Sequence, residues 1–389
     1  MMPVRHLIAA GIAATACAAA DEADGLAFLN LETHGFVSFG YLESARNNWL
    51  GDTIGGTGQF WEAAANVIAR PMERLRIGAQ LFARDLVKYD NGRVDLDWAY
   101  ADYRLADALG VQLGRVKLPL ALYNESLDVD AARAPIFLPP AVYALRSRDL
   151  FISTDGGKAY GSFDVGAGGA IDYSLFLGAK RIAPESGFAT YMGELGLGPE
   201  IEDISAQWLG GGMVQWNTPL RGLALRLSIG DLHDFRVEGR DEANGLTSHT
   251  TVGDYIEWWI SLQYELRQVT LAAEYTRVHG RGESVIEPLG LTIPLVDNSE
   301  GAYLGATWHL ASWFETYTGI EGSWGDAYDR SQLYAYTGVL AANLMPLPNW
   351  SLKVELRGVR GTMGINANDN PDGVADRWGV IALKTTVDF

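Results

Sequence analysis

The chain closes on GVIALKTTVDF (379–389), and that stretch fixes the kind of wall the protein is expected to build. Ile381, Leu383, Thr385, Val387 and Phe389 fall on one side of a period-two alternation. Ala382, Lys384, Thr386 and Asp388 fall on the other. Alternation of this kind marks a strand with two unlike faces. Terminal residues of soluble domains gain little from being ordered and fray into polar tails. A strand that stays amphipathic to its last residue is therefore expected to be paired as part of a wall.

The same alternation runs through most of the sequence. HGFVSFGYL (34–42) sets Val37, Phe39 and Tyr41 against Ser38 and Gly40. RGLALRLSIG (221–230) sets Leu223, Leu225, Leu227 and Ile229 against Ala224, Arg226 and Ser228. NWSLKVELRG (349–358) sets Trp350, Leu352, Val354 and Leu356 against Ser351, Lys353, Glu355 and Arg357. Counting such segments between 34 and 389 predicts about sixteen strands, an even number of the kind found in bacterial barrels.

The connections are informative too. Very short turns such as TPLR (218–221) and HLAS (309–312) occupy every second gap. The intervening gaps are mostly long: 43–57, 119–155, 181–206, 232–250, 281–299 and 362–374. One rim of the structure then carries tight turns and the other elaborated loops, the asymmetry of transmembrane barrels. The predicted fold class is all-β, a closed antiparallel transmembrane barrel.

Composition excludes alternatives. A net charge of -18 argues against nucleic acid, which selects a basic face. No stretch after the N-terminus approaches the ~18 uninterrupted apolar residues of a membrane helix. At the N-terminus, Arg5, an apolar run from Leu7 to Ala20, and an A-x-A site at Ala18 and Ala20 form a secretory signal over 1–20. The alternative is a lipoprotein signal in which Cys17, the only cysteine, becomes the first residue. Both readings imply export. They leave a short segment 21–33 ahead of a barrel over 34–389.

Charge sets the phase of the strands. In ERLRIGAQLFARDL (73–86), Arg74, Arg76 and Arg84 share a parity opposite Leu75, Ile77 and Leu81. An arginine facing lipid at the bilayer centre costs roughly 2–4 kcal/mol, so these three are expected to face the lumen. The same argument places Asp172, Ser174, Lys180 and Glu274 inward. GVQLGRVKLP (110–119) resists it, because Arg115 and Lys117 share parity with Val111 and Leu113. A bulge, or a position at the rim, resolves the conflict.

With its predicted strand count, a longest loop after the fifth strand and a terminal Phe, the chain resembles the Gram-negative outer-membrane porins. LGRVKLPLALYNESLDVD (113–130), followed by PIFLPPAVY (135–143), is similar to porins related to the phosphate-selective type. In those a fifth strand ends near G-R-x-K-x-P and enters a constriction loop. The resemblance implies a water-filled channel for passive diffusion of small hydrophilic solutes or ions. It also implies a homotrimer, contact with outer-membrane lipid and lipopolysaccharide, and no cofactor. No dense lysine cluster suited to tight phosphate binding accompanies the motif. Phe389, with Val387, resembles the signal read by the outer-membrane assembly machinery.

On this reading the segment 119–155 narrows the lumen. Its Glu125, Asp128, Asp130, Arg133, Arg146, Arg148 and Asp149, with Arg115 and Lys117 at its base, are the candidate selectivity residues. Carboxylates opposite Arg74, Arg76 and Arg84 across a narrow passage would produce a transverse field that sorts solutes by charge. Two other motifs are set against plainer readings. NANDNPDGVAD (366–376) spaces acids like a calcium loop but has Gly379 where the closing glutamate belongs, and an ordinary turn fits as well. DLHDF (231–235) places His233 between acids, with no nucleophile motif to make a hydrolase. A barrel serving as an adhesin or receptor platform is the alternative function. Deleting Phe389 is expected to lower recovery in the outer-membrane fraction, scored by immunoblot of fractionated membranes; unchanged recovery removes the signal.

Overall fold

The computed structural model describes residues 30–389. The predicted signal over 1–20, Cys17 and most of the 21–33 segment lie outside the described residues. The first five strands are β1 (Glu32–Ala45), β2 (Phe60–Met72), β3 (Leu75–Leu86), β4 (Tyr89–Ala106) and β5 (Leu109–Lys117). After a long insertion come β6 (Ser153–Asp164), β7 (Ala170–Ile182), β8 (Glu200–Asn217) and β9 (Leu223–Asp241). Then follow β10 (Leu246–Glu265), β11 (Val269–Glu287), β12 (Leu291–Asp297) and β13 (Glu300–Ala311). The last four are β14 (Phe314–Trp324), β15 (Tyr334–Leu347), β16 (Trp350–Gly361) and β17 (Arg377–Asp388).

Successive strands pair antiparallel, apart from β12 and β13, and β1 pairs with β17 from Phe36↔Asp388 to Ala45↔Gly379. The sheet is therefore a closed barrel. β12 pairs only with the far half of β11, while the near half of β11 pairs with β13. The wall proper thus has sixteen strands, and β11–β12 is a hairpin standing above it. At the seam, Gly35 and Phe389 exchange both backbone hydrogen bonds at 3.0 Å. Gly35 is required there, because a Cβ would lie 2.5 Å from the Phe389 ring.

Polarity is inverted relative to a soluble barrel. Leu113, Leu175, Leu177, Ile320 and Leu340 point outward and are each at least 60% exposed. Ser38, Gln80, Lys158, Lys180, Glu274, Lys353 and Lys384 point inward and are buried. The inward phase expected of Arg76, Arg84, Ser174, Lys180 and Glu274 is the one observed. No helix among the described residues is long and apolar enough to cross a membrane. An apolar exterior around a charged interior suits lipid outside and water within.

Two expected loops are strands instead. The gaps 232–250 and 281–299 are occupied by the extended β9–β10 and β11–β12 hairpins. Above the apolar band neither face of a hairpin needs to be apolar, so its alternation disappears from the sequence while its pairing persists. The conflict in β5 is resolved without a register shift in that strand's pairing to β6: Arg115 is paired on the outer face, while Lys117, at the strand's end, reaches the loop carboxylate Asp128 at 2.6 Å. Arg115 donates to Asp155 at 2.7 Å and to the Leu96 carbonyl, which a register break in β4 leaves available. Ile320→Arg, on the outer face, should lower stability by about 2–4 kcal/mol in a bilayer refolding titration. An unchanged midpoint there would show that this face does not meet lipid.

Candidate functional site

The insertion between β5 and β6 does not stand above the barrel. From Leu118 it turns inward and crosses the lumen, carrying short 3-10 turns at Asn124–Ser126, Asp130–Ala132 and Leu145–Ser147 and a helical turn at Arg148–Phe151. Pro139 starts a tight turn whose carbonyl accepts from the Val142 and Tyr143 amides. Pro135 and Pro140, without amide protons, restrict the backbone on either side.

Inward-facing residues of several wall strands hold this loop. On one side Glu274 of β11 accepts from the Leu122 amide at 2.9 Å, the Tyr303 hydroxyl at 2.8 Å, Ser261 at 2.6 Å and the Tyr143 hydroxyl. Arg226 of β9 donates to the Ala121 carbonyl. Further round the wall Glu355 of β16 accepts from the Ile136 and Phe137 amides at 2.7 and 3.1 Å. Lys353 donates to the Asp130 and Arg133 carbonyls, both at 2.7 Å. Buried carboxylates and ammoniums are tolerable only when saturated in this way.

Asp130 is the tightest node. Its carboxylate meets Lys353 and Lys384 at 3.1 Å and accepts from Thr386 at 2.9 Å. Lys384 also reaches Glu62 at 2.6 Å. Burial opposes ionisation of Asp130, but Lys384, Lys353 and Arg133 prevail and hold its carboxyl well below the usual carboxylate range. Asp128 is likewise lowered against its burial, chiefly by Lys117 at 2.6 Å.

Apolar contacts complete the anchoring. Leu118, Leu120, Leu138, Val142, Tyr143 and Leu150 pack against Phe176, Leu209, Leu232 and Trp259 of the wall. Ile136 and Phe137 pack into a second cluster with Phe60, Trp49 and Trp378, the Phe137 and Phe60 rings stacking at 5.5 Å. Each such side chain contributes about 1.5–3 kcal/mol. A cavity of about 70 Å³ remains between the loop and the β2–β3 wall, where Glu62, Arg84, Asp128, Arg133, Arg148 and Lys384 meet aromatic rings.

Further segments close over the loop. The helix Gly187–Glu194, capped by Ser186 accepting from the Ala189 amide, inserts Phe188 and Met192 into the first cluster. Glu194 at its end takes the Tyr89 hydroxyl at 2.9 Å and Lys88 at 2.5 Å. The 366–376 stretch read as a possible calcium loop is tied down through Asn370, which accepts from the Asn48 amide at 2.7 Å and donates to the Asn48 carbonyl at 3.2 Å.

The candidate residues are brought together only in part. Arg76 faces the lumen but pairs with Asp102 at 2.9 Å on the next strand. Arg74 sits at the short-turn rim, donating to the Leu105 carbonyl. Arg84 joins Asp90 at 2.7 Å and the Leu145 carbonyl of the loop. Glu125 and Asp128 therefore face lysines rather than Arg74, Arg76 and Arg84: Glu125 meets Lys158 at 2.6 Å, and Asp128 meets Lys117, while Asp149 accepts from the Phe188 amide at 3.4 Å. Arg133 donates to the Leu127 carbonyl, and Arg146 to the Gly364 carbonyl. Arg148 pairs with Asp97 at 2.8 Å over the Phe82 ring. Arg115 lies outside, and His233 contacts Asp254 and Trp208 on the outer face. The anchors Glu274, Glu355, Lys353 and Lys384 come from the wall. Their inward parity was readable, but which loop residue each meets was not.

No family model and no curated protein matches the chain. Solved structures do. The anion-selective porin from Comamonas acidovorans aligns with a TM-score of 0.57 at 11% identity, over 92% of this chain and 99% of that one. OmpF of Salmonella typhi, solved in complex with daunomycin, aligns at 0.57 and 14%, over 93% and 98%. OmpT of Vibrio cholerae aligns at 0.56 and 13%, over 92% and 97%. At these identities the likeness is one of fold, that of the porin-like barrel.

Asp130→Asn leaves two buried ammoniums short of their counter-charge, and removing one partner of a buried pair costs about 3–5 kcal/mol. The variant should unfold at correspondingly lower denaturant. In the unaltered protein the Asp130 contribution is fully present above the ordinary carboxylate range of ~4 and declines as pH falls toward its depressed value. Denaturation midpoints of the two proteins should therefore converge only in strong acid. Parallel curves from pH 7 to about 5 are expected, with the gap narrowing below ~4, and convergence already above that range would remove Asp130 as the anchor.

Proposed function

We propose that the barrel lies in the outer membrane of a Gram-negative bacterium and passes small hydrophilic solutes or ions by passive diffusion, without catalysis. One observation carries this reading: a wall apolar outside and charged inside is crossed by a loop whose own charges line the remaining space. A platform for adhesion needs no such interior. The accessible lumen charges next to the loop are Arg76, with a side chain 37% exposed, and Glu125, at 43%. Lys158 and Asp102 complete these two pairs. Fields from fixed charges across a narrow aqueous passage select by charge and dipole.

Because the loop touches the wall on several sides, conductance should be small for a barrel of this size. The trimer form recorded for OmpT of Vibrio cholerae supports a homotrimer here, and an exported barrel meets lipopolysaccharide and the assembly machinery on its route. The projecting β9–β10 and β11–β12 hairpins are the feature that a receptor platform would use.

Purified protein in a planar bilayer should give discrete, low conductance steps. Arg76→Ala with Arg84→Ala should shift the reversal potential across a salt gradient toward cations, changing the permeability ratio roughly twofold. Absence of any conductance would transfer the reading to a platform. Conductance with an unmoved reversal potential would take these two arginines out of the selectivity path.

A further inference from the structure

On the outer face, where β15, β16, β17 and β1 lie side by side, the register aligns Gly338, Gly358, Gly379 and Ala45 in one row. The row below holds Leu340, Leu356, Ile381 and Glu43. With no side chains on three of its four positions, the glycine row forms the floor of a groove of about 650 Å³. A Cβ placed on Gly338 or Gly358 meets no atom within 4 Å, so the floor is open rather than packed. A second groove of about 550 Å³ continues down the same strands past Leu352 and Leu383. Together they follow six residues of strand, roughly 20 Å, comparable to the ~15 Å depth of one leaflet.

The row above the glycines is basic. Arg360 and Arg377 are direct partners across β16 and β17, both exposed. Like charges opposite one another on a sheet repel. The Arg377 side chain has no partner among the described residues, and Arg360 has only Asp376 at 3.7 Å. Arg46 joins them, donating to the Arg377 carbonyl at 3.4 Å. Three guanidiniums thus gather at one point of a chain whose net charge is -18. From Trp350 at the short-turn rim to Arg360 is ten residues, roughly 26 Å of tilted strand, which puts the guanidiniums at the far edge of the apolar band. Tyr336 and Trp324 stand beside them, the ring types that favour that level.

We propose that this face binds one phosphorylated lipid of the outer leaflet. Its phosphate sits among Arg46, Arg360 and Arg377, and one acyl chain lies in the glycine-floored groove. Guanidinium forks match phosphate oxygens bidentately and remove the repulsion between the paired arginines. Glu43, lower on the groove wall, is held by the Tyr41 hydroxyl at 2.8 Å and faces the acyl segment rather than the phosphate. The site rests on the outer-membrane placement proposed above and not on conductance.

The test uses the exported chain purified in mild detergent and titrated with bis-phosphorylated lipid A, bound lipid being counted by native mass spectrometry. Parallel arms use dephosphorylated lipid A and a zwitterionic phospholipid, and heat-modifiable gel mobility confirms that each variant is a closed barrel. Lipid A retention should exceed both control arms. Arg360→Gln with Arg377→Gln should weaken it about tenfold or more. Gly338→Leu with Gly358→Leu, whose Cβ atoms meet no atom within 4 Å and whose side chains fill the groove, should weaken it similarly while leaving channel conductance unchanged. Equal retention of phosphorylated and dephosphorylated lipid overturns the proposal, as does full retention by either variant. A groove variant that changes subunit stoichiometry and leaves lipid binding intact assigns the groove to a second copy of the chain, which also overturns it. A protein that conducts but holds no lipid loses this site alone, whereas one that binds lipid without conducting loses the channel alone.

Discussion

In a hydrocarbon medium no backbone amide or carbonyl can be left without a partner, since each costs several kcal/mol and no water is present to take it. That constraint accounts for the seam between β1 and β17, where ten consecutive register pairs tie the two ends of the barrel together. It also accounts for Arg115 on the outer face, which reaches the Leu96 carbonyl exposed by the register break in β4. Closure leaves a hollow interior, and the chain fills it with its own loop. The wall and the loop are thus two parts of one arrangement.

The loop is held by charge as much as by apolar contact, and the sign of the charge is arranged. Carboxylates of the wall, Glu274 and Glu355, receive loop amides and hydroxyls. Ammoniums of the wall, Lys353 and Lys384, receive loop carbonyls and the Asp130 carboxylate. Each anchor is buried, so each is costly unless saturated. The loop therefore docks in one register: sliding it by one residue would strand several of these groups together. The two apolar clusters it enters supply the larger energy, and the polar nodes supply the specificity of position.

Much of this architecture was legible in the amino-acid order. The alternation of 379–389 and its counterparts gave the strand count of the wall, and the parity of Arg76, Arg84 and Glu274 gave the inward face. The strands above the bilayer were hidden, because β9, β10, β11 and β12 lose their two-faced pattern once neither face meets lipid. The partners of the loop were hidden as well. Asp128 and Asp130 could be expected to find cations, yet nothing along the chain sets Asp130 beside Lys353 and Lys384, which follow it by more than two hundred residues.

Sequence alone determined the phase and the closure: a period-two pattern bounded by lipid admits one face outward, and an amphipathic last strand must pair. Those are local rules, written into neighbouring residues by the sterics of the strand and the cost of charge in lipid. Which strand stands across the lumen from the loop, which arginines meet over a glycine-floored groove, and that Arg115 turns outward were decided by tertiary structure. They depend on barrel circumference, strand tilt and register, and these are properties of the closed sheet as a whole.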